Sequence, residues 1–86
     1  MYTWEYNDPL VIDAAKALEL ESPEGYAALL ALMEAIVFDP MEYQRTPDEP
    51  VGKPVRKVPF WAGRGQVTVL IWEPDLIVLV LKVQWV

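Results

Sequence analysis

The chain has 86 residues, 53% of them hydrophobic, a net charge of −6, and neither cysteine nor histidine. This suffices for one domain, residues 1–86, with one core burying roughly 60–65% of the chain's surface. It is too apolar for disorder, and it lacks the residues for a disulfide scaffold, a Ser–His or Cys–His nucleophile pair, or an ordinary zinc site.

In chain order, residues 2–6 read as a short strand, because Tyr2, Trp4 and Tyr6 alternate with Thr3 and Glu5. Asp8-Pro9 is a helix start, with Asp8 as N-cap and Pro9 at the first helical position. The spacing predicts a helix over 9–20, with Leu10, Ala14, Ala17, Leu18 and Glu21 on its inner stripe. Ser22-Pro23 repeats the cap chemistry and opens a second helix, which Pro40 stops. Tyr26, Leu29, Leu30, Met33, Ile36 and Val37 mark its inner face. Ala27, Ala28, Ala31, Leu32 and Ala35 flank it, so cover on more than one side is expected. The short link between the helices implies an antiparallel hairpin.

Residues 39–54 contain four prolines and read as a connecting loop, stiffened rather than floppy. Strand signals follow. Val55, Val58 and Phe60 mark a short strand that Pro59 confines to an edge or a bulge. Ala62-Gly63-Arg64-Gly65 is a turn, residues 67–72 a second strand, and Glu73-Pro74-Asp75 a tight turn. Residues 76–85 form the last strand. Its first half is apolar at every position, so it is expected at the centre of the sheet with both faces buried. Lys82 and Gln84 then share a face open to solvent or a ligand. The fold class is therefore α+β: an N-terminal strand, an antiparallel helical hairpin and a three-stranded antiparallel meander, with the helices packed on one face of the sheet. There is no internal repeat.

The charges are unevenly divided. Residues 1–50 carry eleven acids and two bases, whereas residues 51–86 carry two acids and five bases. Such asymmetry points to a charged partner. Lys53, Arg56, Lys57 and Arg64 are the candidates for anion contact and, if there is catalysis, for charge stabilisation. Trp61 joins them because it borders the turn that carries Arg64, and Lys82 and Gln84 because of their open face. Gly63-Arg64-Gly65 lacks the helix N-terminus of a phosphate loop. Asp13, Glu19, Glu21, Glu24 and Glu34 are spaced as solvated helix faces rather than as a catalytic carboxylate pair. The four tryptophans lie on or beside strands, where core packing is the expected role. No metal or cofactor is expected. The start of the chain lacks a signal peptide's basic and apolar regions, and no apolar run reaches the roughly 20 residues of a bilayer span. A cytoplasmic chain without a membrane partner is expected.

The order of elements resembles the RelE/ParE superfamily of bacterial toxins. The stretches that carry the likeness are Val55-Arg56-Lys57-Val58, then Gly65-Gln66-Val67-Thr68-Val69-Leu70-Ile71, then Ile77-Val78-Leu79-Val80-Leu81-Lys82-Val83-Gln84-Trp85. They look like the family's basic strand, its Gly-aromatic-Arg strand and its last core strand. The resemblance implies one half of a type II toxin–antitoxin pair, with a cognate antitoxin as partner and mRNA on the ribosome or DNA gyrase as target. The family's ribosome-dependent members cut mRNA without metal, using basic side chains on the phosphorane-like transition state. Here Val67 stands where the family usually has arginine, and Val86 where a second basic residue commonly falls. The expected activity is therefore docking onto a macromolecular target or an antitoxin, with a metal-independent mRNA endoribonuclease as the alternative. The residues by themselves leave a third reading, a non-toxic interaction or oligomerisation module whose C-terminal strand pairs with another copy.

Overall fold

A computed structural model describes residues 2–40, 42 and 55–86. The chain is α+β: strand β1 (Thr3–Tyr6), helices α1 (Pro9–Glu21) and α2 (Pro23–Phe38), then strands β2 (Val55–Phe60), β3 (Gly65–Trp72) and β4 (Ile77–Trp85). The strands form one open sheet in the order β1-β4-β3-β2. β2, β3 and β4 make the expected antiparallel meander, and β1 adds a fourth strand parallel to β4. Both helices lie on one side of the sheet. The expected loop at 39–54 falls for most of its length outside the described residues, and Lys53 with it.

Local capping chemistry explains the helical hairpin. The Asp8 carboxylate accepts from the backbone N–H groups of Leu10 at 2.7 Å and Val11 at 3.3 Å, with Pro9 beside it in the first turn. Ser22 serves both helices. Its backbone N–H donates to the Leu18 carbonyl at 2.7 Å and closes α1, while its Oγ accepts from the Gly25 N–H at 3.2 Å and opens α2. One residue thus satisfies orphan groups at two helix ends, which turns the chain without a longer loop.

The buried stripe of α1 differs from the expected one. Val11, Ala15 and Leu18 face the core, whereas Leu10 is 78% exposed and Ala17 and Glu21 are exposed as well. Ala14 is half-buried against the core, so the two stripes share Ala14 and Leu18 and are otherwise one residue, about 100°, apart. The two-residue link from β1 sets the rotational phase and selects the stripe. On α2, Gly25, Leu29, Met33 and Ile36 are buried, and Tyr26, Leu30 and Val37 half-buried, as the spacing predicts. Ala27, Ala31 and Ala35 are exposed, whereas Ala28 and Leu32 are half-buried against the core, so the cover extends from the expected inner face onto one flank and leaves the outer side open. Alanine favours a helix without needing burial.

On β3, Val67, Val69 and Ile71 enter the core, meeting Leu18, Leu29, Met33 and Ile36 from the helices. Val78, Val80 and Val83 of β4 join them. The pairing of Thr68 with Lys82 and of Val69 with Val80 leaves Leu81 as an extra residue. This bulge lets Val80 and Val83, three positions apart, point the same way. β4 is central, as expected, but among the described residues only one of its faces is covered: Ile77 and Leu79 on the other are half-buried. β3 flanks β4 along its whole length and β1 flanks it over Ile77–Val80. Any pairing of the C-terminal strand with another copy is thereby confined to one edge of residues 81–85.

The β2–β3 turn spans residues 61–64, and Gly65 already belongs to β3. Trp61 (φ 56°), Ala62 (φ 53°) and Gly63 (φ 85°) are all left-handed, held by Gly63 N–H to Phe60 O at 3.2 Å and Arg64 N–H to Trp61 O at 3.0 Å. A non-glycine residue pays about 1–2 kcal/mol for that conformation. Ala62→Gly is therefore expected to raise stability by up to about 1 kcal/mol after the entropic cost of glycine. Urea unfolding midpoints of the two chains check this.

Candidate functional site

Strand alternation divides the expected site residues. Arg56 points to the helix side, where it is 8% exposed, and its Nη1 donates to the Val55 carbonyl at 2.8 Å. Lys57, its neighbour, is exposed on the uncovered face. In register with it across the sheet lie Thr68 and then Lys82, and the next row is Pro59, Gln66 and Gln84. Beyond that row, in the turn, sits Arg64, exposed, with its guanidinium 3.8 Å from the centre of the Trp61 ring. A shallow cleft of about 440 Å³ opens here, lined by Arg64, Gln66, Gln84 and their neighbours. The structure thus gathers Lys57, Lys82 and Gln84 on the uncovered face, with Arg64 in the turn beyond its end. It sends Arg56 to the core side.

Trp61 is held between two groups. A Cβ on Gly25 would lie 2.9 Å from the indole, so the glycine lets the ring rest directly on α2. Arg64 stacks on the same indole, a cation–π contact worth about 0.5–1 kcal/mol at an exposed site. The ring serves as a platform for the guanidinium rather than as a free stacking surface. The Arg64 main chain is fixed as well: its carbonyl accepts from the Val86 N–H at 2.9 Å.

The other end of the uncovered face is apolar. Leu70, Trp72, Ile77 and Leu79 line a depression of about 370 Å³, with Glu5 and Asp75 at its border. Trp72 is 44% exposed, against the expectation of core packing. This half of the site was hidden in the sequence, because Leu70, Trp72, Ile77 and Leu79 are as apolar as the core residues they alternate with, and only Gln66, Thr68, Lys82 and Gln84, further along the same strands, mark the open side. Of the remaining tryptophans, Trp4 is half-buried edge-on to Tyr6, their rings 5.2 Å apart, and Trp85 Nε1 donates to Glu21 Oε2 at 3.0 Å. Among the described residues no three carboxylates gather as a metal site would require, and none of the helices is long and apolar enough to cross a membrane.

Among the described residues one titratable group is perturbed. Burial, followed by the neighbouring Tyr26 and then Glu19, pushes the Tyr6 phenol from 10.0 up to about 12. Its Oη is buried without a hydrogen bond of good geometry among the described residues. The folded state then keeps a proton that the unfolded chain has lost. Tyr6 therefore leaves stability unaffected below pH 10 and lowers it as the pH rises from about 10 to about 12. Tyr6→Phe is expected to flatten that alkaline loss, as read from denaturant midpoints at neutral and alkaline pH.

The arrangement suits recognition: a flat face with an apolar half, a row bearing two ammonium groups, amide side chains, and a guanidinium at the rim. No family model, no curated protein and no solved structure matches the chain.

Proposed function

We propose that this chain is the toxin-like half of a bacterial toxin–antitoxin pair, working in the cytoplasm by docking on a macromolecular partner rather than by cutting RNA. One observation carries the reading. The described cations of the second half are divided between the two sides of the sheet, and among the described residues those on the uncovered side border an apolar surface rather than a paired acid and base. Transition-state stabilisation of a phosphoryl group calls for convergent cations around one point. Lys57 and Lys82 instead stand on β2 and β4 with β3 between them, about 10 Å apart at the backbone. That spacing matches an extended acidic segment or a broad surface. The element order supports the same reading, because strand, helical hairpin and meander follow one another as the resemblance implies. The cognate antitoxin would lay an acidic, amphipathic segment over the two halves of the face.

The test is inducible expression in a bacterium, with growth and transcript integrity followed together. Arrest with intact transcripts is the expected result and directs the search to a protein target such as gyrase. Cut transcripts would replace docking by metal-independent endonuclease activity. Healthy growth with abundant soluble protein would remove the toxin assignment.

A further inference from the structure

We propose that a cleft between β1 and the end of α2 binds an alkylated ammonium group, carried either by a small molecule or by a methylated lysine side chain. The cleft belongs to the helix side of the sheet, away from the docking face, and the inference does not rest on the toxin reading. Tyr2 precedes β1, Trp4 lies within it, and Glu34, Val37 and Phe38 stand at the end of α2. Together they line an open cleft of about 420 Å³.

Three features of this cleft select a cation. The first is aromatic. Tyr2 and Trp4 pack against the core from its margin, and the Trp4 ring is held edge-on by Tyr6 at 5.2 Å. Phe38, by contrast, is 92% exposed, so its ring does nothing for the core. The face of an aromatic ring carries negative potential and attracts a cation placed over it. The second is Glu34, whose exposed carboxylate lines the same cleft and has no ion-pair partner among the described residues. The third is the end of α2 itself. The last carbonyls of a helix carry a partial negative charge that a cation offsets, yet the last turn of α2 holds no basic residue and its cap is another acid, Asp39. All three repel an anion. A purely apolar ligand would leave the acids and the helix end unused, and a bare ammonium would give up strong hydration to sit among the rings. An alkylated ammonium brings apolar surface and positive charge together, which is what rings bordered by a carboxylate recognise.

A nuclear magnetic resonance titration of the nitrogen-labelled chain with choline tests the proposal. The Trp4 indole and the Phe38 amide signals are expected to shift with a Kd of about 1 mM or below. The neutral tert-butyl analogue of choline has the same shape without the charge, and is expected to bind at least about tenfold more weakly. Phe38→Ala and Glu34→Gln alter exposed side chains, so the dispersed spectrum of the folded chain should persist. Each is expected to weaken choline binding about three- to fivefold. A peptide carrying trimethyl-lysine distinguishes the two sources. Binding at least about tenfold tighter than that of choline would mark a partner chain as the carrier, and equal binding a small molecule; the site stands in both cases. An equal response to the neutral analogue would make the cleft merely apolar and overturn the proposal. So would Trp4 signals that do not move, or shifts that neither substitution weakens.

Discussion

Replacing Lys57 and Lys82 together by glutamate is expected to abolish growth arrest while leaving the thermal midpoint of the protein nearly unchanged. Both side chains are exposed and lie on the side of the sheet away from the core. Surface substitutions of this kind usually alter stability by no more than about 0.5 kcal/mol each. The same two changes reverse the sign of the only cationic row on the described part of the face. A segment carrying acids over this row would lose two favourable contacts and gain two repulsive ones. That is expected to weaken its binding about a hundredfold or more, chiefly when both positions are changed. Arg56→Ala makes the contrast. Its side chain is 8% exposed on the helix side, so its loss is expected to lower stability through lost packing and lost hydrogen bonding, with docking affected only through folding. Growth curves together with thermal unfolding of the purified variants separate these outcomes. A Lys57→Glu/Lys82→Glu variant that still arrested growth would remove this face from the mechanism.

Gly65→Ala is expected to destabilise the fold by about 2–3 kcal/mol, the range of an overpacked core position. The reason is not the turn, since Gly65 is the first residue of β3 and pairs with Phe60 across the hairpin. The Phe60 ring folds back over it. A Cβ at position 65 would lie 2.4 Å from the ring's Cζ and within 2.8 Å of two more of its atoms. Phe60 is only 5% exposed, so the ring cannot swing aside without leaving the core. In a chain of this size the expected loss corresponds to a drop of roughly 10–20 °C in thermal midpoint. Combining it with Phe60→Leu, which clears the space, should make the two effects clearly less than additive. Full additivity would mean that the ring is not what excludes a larger residue.

The caps, the turn positions and the antiparallel meander were legible because each rests on chemistry local in sequence. Asp8-Pro9 and Ser22-Pro23 start helices wherever they occur before an apolar pattern, and both do so here. Pro59 belongs on an edge strand because it has no N–H to give a central ladder, and β2 is an edge. Lys82 and Gln84 were readable as an open pair because they interrupt an otherwise apolar strand on one side. The phase of α1 was not legible, since Leu10 and Val11 are both apolar and only the link to β1 decides between their stripes. Nor was the parting of Arg56 from Lys57 drawn from the basic stretch, although alternation along a strand requires it.

Periodicity, capping and composition are enough to give the α+β class, the order of the elements and the concentration of positive charge after residue 50. Which cations share a face, and which apolar surface lies away from the helices, depended on the folded arrangement. The apolar ends of β3 and β4 are alike on their two sides, and among the described residues the helices cover only one of them. Which side is covered depends on where the helical hairpin lands, and that is set by contacts between residues far apart in the chain, such as Leu18 and Met33 against Val67 and Val80.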